Sequence, residues 1–188
     1  MAKRARTGDQ LTGGSRDVNP QFLSAPTLAQ SAADTTTSVE VPLPISRIAN
    51  STRTTVVELL KVFVQLSRLP AIAAVGESLD TETMALSTVN RTTTNAVLND
   101  SSTICMVDLS QRGAFTAGGT YGNTMASTII TVDLTDGAGH GVLIGTDSVF
   151  LQLQSSGTGA ANSALVKLFY RFKTIGMFEW IGMVQSQS

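Results

Sequence analysis

The stretch Ser163–Lys173, Ser-Ala-Leu-Val-Lys-Leu-Phe-Tyr-Arg-Phe-Lys, has the most regular pattern in the chain. Apolar side chains fall on one face of this segment when it is extended: Val166, Leu168, Tyr170 and Phe172. Basic side chains fall on the opposite face: Lys167, Arg171 and Lys173. Because successive side chains of a β-strand point to opposite faces, this alternation predicts a strand with one face toward a core.

Short apolar runs rich in β-branched residues surround this segment and are separated by Gly, Asn, Asp and Ser clusters. Seven runs are predicted as strands: Thr54–Leu66, Thr81–Val89, Thr103–Leu109, Ser127–Leu134, Gly141–Gln154, Ser163–Lys173 and Met177–Gln187. The first run also matches a helical stripe, but its β-branched content favours a strand. Trp180 is predicted to lie in the core on the last strand. The pattern indicates an all-β, antiparallel sandwich, here an eight-stranded jelly roll.

The N-terminal part of the chain has a different composition, with Gly, Pro and a polar run at residues 34–38 and no sustained apolar periodicity. Such a segment buries too little apolar surface to offset chain entropy. We therefore predict a flexible, slightly basic arm over residues 1–45 and a jelly-roll domain over 46–188. Val39–Ile45 contains two prolines and is at most an edge strand. That segment or a short run near Phe115 would supply the eighth strand.

Charge is sparse and unevenly distributed along the 188 residues. Charged side chains make up 14% of the chain, against about 25% in typical soluble domains. A surface so poor in charge weakly favours an assembly in which neighbours cover much of it. Four basic side chains lie in the first sixteen residues with only Asp9 against them: Lys3, Arg4, Arg6 and Arg16.

No coherent catalytic or metal-binding set is present in the sequence. His140 is the sole histidine, and it lies in a glycine-rich segment that predicts a tight turn between strands, with Asp136 as a turn residue. Asp147 is predicted at a strand end or bulge within the break at residues 145–148. Cys105 is the sole cysteine, so neither an intramolecular disulfide nor a zinc knuckle can form. We expect no enzyme activity, no cofactor and no bound catalytic metal.

Two basic groups are candidate contacts for nucleic acid phosphates. One is the N-terminal set Lys3, Arg4, Arg6 and Arg16, which is also compatible with nuclear targeting. The other is the stripe of Lys167, Arg171 and Lys173, whose role would require that strand face to line a cavity holding the genome. The alternative for each group is that it binds nothing: the N-terminal set would be a solvated terminus, and the stripe a solvated strand face.

Several segments over about residues 54–187 resemble the single jelly-roll capsid proteins of small circular single-stranded DNA viruses that encode a rolling-circle replication protein. The C-terminal strand 168–173 and the ending Glu179–Gln187 resemble the closing pattern of that family. Residues 57–62, 113–121 and 133–141 are also similar to family segments. Many members begin with a long Arg-rich arm, whereas this chain has few N-terminal cations, so bound cations or polyamines would have to neutralise part of the genome charge.

The resemblance implies a coat protein that self-assembles into an icosahedral shell around a small genome, without a membrane partner. The genome expected from the resemblance is single-stranded DNA. The expected location is the virion, after synthesis in the host cytosol, since the N-terminus has no secretory signal pattern. The alternative function is that of a non-viral β-sandwich binding module of lectin-like or cytokine-like type. The same strand pattern permits it, because fold does not fix function.

Overall fold

The structure, a computed structural model, describes residues 19–45, 53–66, 76–92, 97–115, 129–158 and 160–187. Within them are ten strands and one helix: β1 Gln21–Ser24, β2 Leu28–Ala29, β3 Thr36–Pro42, β4 Arg53–Leu66, β5 Gly76–Ser87, β6 Thr103–Phe115, β7 Ile129–Asp133, β8 Val142–Ile144, β9 Ser148–Ser156, β10 Ser163–Gly176 and α1 Met177–Gln187. This confirms the all-β class. The short strands β1 and β2 were not predicted, and the predicted run Gly141–Gln154 is divided into β8 and β9. The predicted last strand is replaced by α1.

The strands form two antiparallel sheets. The first, sheet A, has the order β1-β10-β4-β7, with β2 also paired to β10 and β8 to β4. The second, sheet B, has the order β3-β9-β5-β6. The chain changes sheet between β2 and β3, β3 and β4, β4 and β5, β6 and β7, β8 and β9, and β9 and β10, which produces a sandwich of the jelly-roll type.

Apolar side chains from both sheets fill the space between them. Leu59, Val62 and Val64 of β4 face Met84 and Leu86 of the other sheet within one buried cluster. The alternation predicted for Ser163–Lys173 holds at the core, because Val166, Leu168 and Tyr170 are all buried in β10. The first run is a strand, not a helix, and the predicted break between β8 and β9 falls at Gly145–Asp147.

The boundary predicted for the flexible arm is wrong for residues 19–45. β1 and β2 pair with β10, and β3 pairs with β9 at the edge of sheet B, the position that the prolines indicated. Gln30 adds to this order, since its buried side-chain oxygen accepts hydrogen bonds from Ser155 Oγ at 2.9 Å and Asn162 N at 3.0 Å. Leu28 and Val41 are also buried, and the apolar surface that they remove from water helps to offset the entropy cost of ordering this polar segment. Residues 1–18 lie outside the described part of the chain.

The predicted last strand is also wrong, because Met177–Gln187 forms helix α1. Trp180 is half-buried on this helix and does not enter the core; its indole N–H donates to the Gly145 carbonyl oxygen at 3.1 Å. The residues that face the sandwich, Trp180, Val184 and Gln187, are spaced by three or four positions, which is a helical repeat. No helix in the described ranges is long and apolar enough to cross a membrane.

Candidate assembly and genome-contacting surfaces

A buried carboxylate organises the basic face of β10. Glu58 lies opposite Arg171 in the register between β4 and β10, so their side chains share one face of sheet A. The Arg171 Nε donates to Glu58 Oε2 at 2.5 Å, and Lys173 Nζ lies 3.6 Å from Oε1. The backbone N–H of Gly141 donates to the same Oε1 at 3.1 Å, while His140 Nδ1 lies 3.8 Å away. Glu58 is thus the centre of a cationic cluster.

The surroundings of Glu58 keep it ionised. Its side chain is 0% exposed, and burial alone would raise its pKa. The hydrogen bonds from Arg171 and Gly141 and the positive charges of Lys173 and Arg171 together outweigh burial, so the pKa of Glu58 is lowered from 4.5. A buried carboxylate held this way needs its partners, because removing one leaves an uncompensated charge.

This cluster changes the interpretation of the predicted basic stripe. Arg171 and Lys173 direct their charge toward Glu58, whereas Lys167 is an exposed residue. Lys167 Nζ lies 4.8 Å from the centre of the Phe22 ring, a cation–π distance. The N-terminal candidates Lys3, Arg4, Arg6 and Arg16 lie outside the described residues.

Sheet A carries an apolar groove of about 530 Å³ near Lys167. Four large apolar side chains of β1, β4, β7 and β10 contribute to its lining: Phe22, Phe63, Ile129 and Leu165. Phe22 is 57% exposed, Ile129 65% and Leu165 52%. Phe22 also packs on Phe169, with ring centres 4.8 Å apart. Exposed apolar patches of this kind mark binding or association surfaces in soluble proteins.

A second exposed apolar surface lies on α1. Phe178 is 92% exposed and Ile181 is 41% exposed. They are three positions apart and therefore adjacent on the helix surface. On the other side of α1, the Gln187 side chain accepts from Gly145 N at 3.0 Å and donates to the Leu143 oxygen at 2.7 Å. One side of α1 is therefore hydrogen-bonded to the sandwich, and the opposite side exposes Phe178 to solvent.

The segment around His140 is the turn that the sequence predicted. Asp136 Oδ1 accepts hydrogen bonds from the backbone N–H groups of Ala138 at 2.9 Å and His140 at 2.8 Å. Gly139 adopts a φ of 82°, the left-handed conformation that glycine takes without steric cost. These contacts give Asp136 a structural role in the connection from β7 to β8.

Two other ionisable side chains, those of Cys105 and Asp80, have pKa values shifted by burial. Burial raises the pKa of the Cys105 thiol to about 12, which suppresses the reactive thiolate. Burial, and then the negative charge of Asp34, raise the pKa of Asp80. Across the described ranges, no group of three or more His, Cys, Asp or Glu residues is arranged to hold a metal ion.

Sequence reasoning missed both Glu58 and the groove. A signal for Glu58 was present, since it is a lone acidic residue within the apolar run Val56–Val64. The groove had a weaker signal, because its lining comes from four strands that are distant in the sequence and its contacts depend on the register of sheet A.

Comparisons with known proteins identify the fold. No protein-family model matches the chain, and no curated protein matches it. Among solved structures, the VP1 pentamer of human polyomavirus 6 is similar, with a TM-score of 0.50 and 12% identity over 87% of this chain and 97% of that one. Apo VP1 of New Jersey polyomavirus is also similar, with a TM-score of 0.50 and 9% identity over 84% of this chain and 99% of that one. At these identities the likeness shows a shared jelly-roll-type sandwich and nothing about activity.

Proposed function

We propose that this chain is a viral coat protein whose copies assemble into a closed, icosahedral shell around a small genome. The observation that carries the proposal is the pair of exposed apolar surfaces on one small sandwich, the groove at Phe22 and the helix face at Phe178. A free monomer would leave both in water, and burial between copies removes that cost. The shared fold with VP1 proteins and the low charge content support the same proposal.

The genome is proposed to be single-stranded DNA, on the resemblance of the segments at residues 54–187 to capsid proteins of small circular DNA viruses. Contact with it would be through phosphates and independent of base sequence. Lys3, Arg4, Arg6 and Arg16 are the principal proposed contacts, since Arg171 and Lys173 already neutralise Glu58. Lys167 would add a contact only where its face lines the interior and no neighbouring copy covers it.

This division of roles requires that genome binding and shell building depend on different residues. Deletion of residues 1–16 should lower the nucleic acid content of purified particles, read as the ratio of absorbance at two wavelengths, while particles still form. The variant Lys167→Gln should cause a smaller loss. Arg171→Gln is unsuitable for this comparison, because it removes the partner of buried Glu58 and would destabilise the fold.

The outcome also separates the coat protein from the binding-module alternative. Particles of the deletion variant that contain as much nucleic acid as the intact protein would show that the arm does not bind the genome. A protein that remains monomeric in light scattering at high concentration, with and without single-stranded oligonucleotide, would favour a binding module.

A further inference from the structure

The two exposed apolar surfaces have complementary forms. The groove of sheet A is concave, and its volume of about 530 Å³ exceeds the roughly 150 Å³ of a cavity that holds benzene. The exposed face of α1 is convex, with Phe178 projecting at 92% exposure and Ile181 beside it. The groove thus has room for a phenyl ring together with a neighbouring aliphatic side chain.

Charge is complementary as well. Lys167 lines the groove and is an exposed residue. Glu179 follows Phe178 on α1, is exposed, and is the acidic residue of that helix. Its side chain lies about 100° around the helix from Phe178, on the side away from Ile181. A helix seated in the groove by Phe178 can therefore place this carboxylate at one flank of the contact, within reach of the long Lys167 side chain.

The helix of the same copy cannot fill its own groove. The groove lies at the Leu165 end of β10, whereas α1 follows the opposite end after Gly176. From Lys167 to Met177 the ten residues of strand span about 33 Å at 3.3 Å per residue. The hydrogen bonds of Trp180 and Gln187 to Gly145 hold the helix at that far end.

We propose that the groove of sheet A receives helix α1 of a second copy, with Phe178 and Ile181 in the groove and Glu179 beside Lys167. The inference rests on the proposed self-assembly and specifies one of its contacts. Because groove and helix are different surfaces of each copy, the contact is heterologous, and repetition produces a ring where the rotation closes.

A mixing experiment tests this geometry in the full-length protein. Phe178→Asp removes the helix surface and Leu165→Asp removes the groove surface, and each variant alone should associate at least about tenfold more weakly than the intact chain. An equimolar mixture should form a one-to-one dimer that grows no further, since only one intact groove and one intact helix face can meet. Sedimentation velocity distinguishes these species.

Controls keep the result interpretable. Phe178 is almost fully exposed, so its variant should keep the unfolding temperature of the intact protein. Ile129→Asp is a second groove variant on an edge strand, and Thr174→Asp is a matched control at the exposed far end of β10 that should associate normally. Lys167→Glu and Glu179→Lys should each weaken association as single variants. The double variant, in which the two charges are exchanged, should associate normally again.

Several outcomes would overturn the proposal. If Phe178→Asp associates like the intact chain, or the mixture yields no dimer, α1 is not the occupant. If deletion of residues 1–18 weakens association as Leu165→Asp does while Phe178→Asp has no effect, the N-terminal segment fills the groove. Shells formed normally by both variants would refute this contact and leave the coat function standing, whereas an intact chain that never associates would refute both.

Discussion

The buried ion cluster around Glu58 supports a quantitative prediction on folding stability. Glu58→Gln keeps the shape of the side chain but removes the negative charge that Arg171 and Lys173 face. Breaking a buried pair by removing one partner costs about 3 to 5 kcal/mol. Because Arg171 is 22% exposed and Lys173 is 37% exposed, water can compensate part of the loss, and we expect about 2 to 4 kcal/mol.

Chemical denaturation of the dissociated protein, followed by tryptophan fluorescence and circular dichroism, measures this change in the free energy of unfolding. Asp133→Asn is the matched control on the same sheet: its partner Lys61 is 2.8 Å away, and the two side chains are 50% and 36% exposed. Such an exposed pair, screened by solvent, should contribute little to the free energy of unfolding. The double variant Glu58→Leu with Arg171→Met should be less destabilised than Glu58→Gln, because no guanidinium is then left unpaired.

A change in the free energy of unfolding for Glu58→Gln no larger than that for the Asp133→Asn control would refute the stabilising role of the cluster. That result would mean that water reaches the carboxylate freely and that the cluster contributes no more than a surface pair.

The lowered pKa of Glu58 means that its stabilisation is fully present above pH 4.5 and is lost as the pH falls through the lower folded-state pKa, so a pH series should show a smaller acid loss of stability in Glu58→Gln than in the intact chain. Gly141→Ala should cost about 3 kcal/mol in denaturation experiments, because its Cβ would lie 2.1 Å from the Leu59 carbonyl oxygen; Gly137→Ala in the same turn has open space and should be nearly neutral. Cys105 should resist a thiol reagent in the native protein and react after unfolding, since burial raises the pKa of its thiol to about 12; rapid native labelling would contradict this.

The strands could be predicted where one face is buried and the other is polar. In β10 the alternation was strong enough to establish element and orientation, and in β4 the β-branched content was a sufficient reason to choose strand over helix. Strand pairing and sheet order could not be predicted, because they depend on contacts between residues far apart in the sequence, such as Gln21 with Tyr170.

The two errors have separate physical causes. Residues 19–45 looked too polar to order, but their backbone pairs with β10 and β9 and the buried Gln30 side chain bonds to Ser155. Met177–Gln187 looked like a strand because it is apolar, although its residues do not alternate and Trp180, Val184 and Gln187 follow a helical spacing. The apolar residues of that segment fit the 3.6-residue period of a helix better than the two-residue period of a strand.

The candidate site was only partly accessible from sequence. The alternation placed Arg171 and Lys173 on one face correctly, but nothing local showed that Glu58, more than a hundred residues earlier in the chain, lies opposite Arg171. The four N-terminal cations, Lys3, Arg4, Arg6 and Arg16, remain predictions, since they lie outside the described residues.

Negative-stain electron microscopy of the purified full-length protein tests the proposed coat function most directly. Samples at near-neutral and acidic pH, at low and high salt, and with or without single-stranded DNA would cover the conditions under which shells form. Closed particles of uniform size are expected under at least one of these conditions. Dispersed monomers under all of them, at concentrations where the groove at Phe22 and the helix face at Phe178 should find partners, would contradict it.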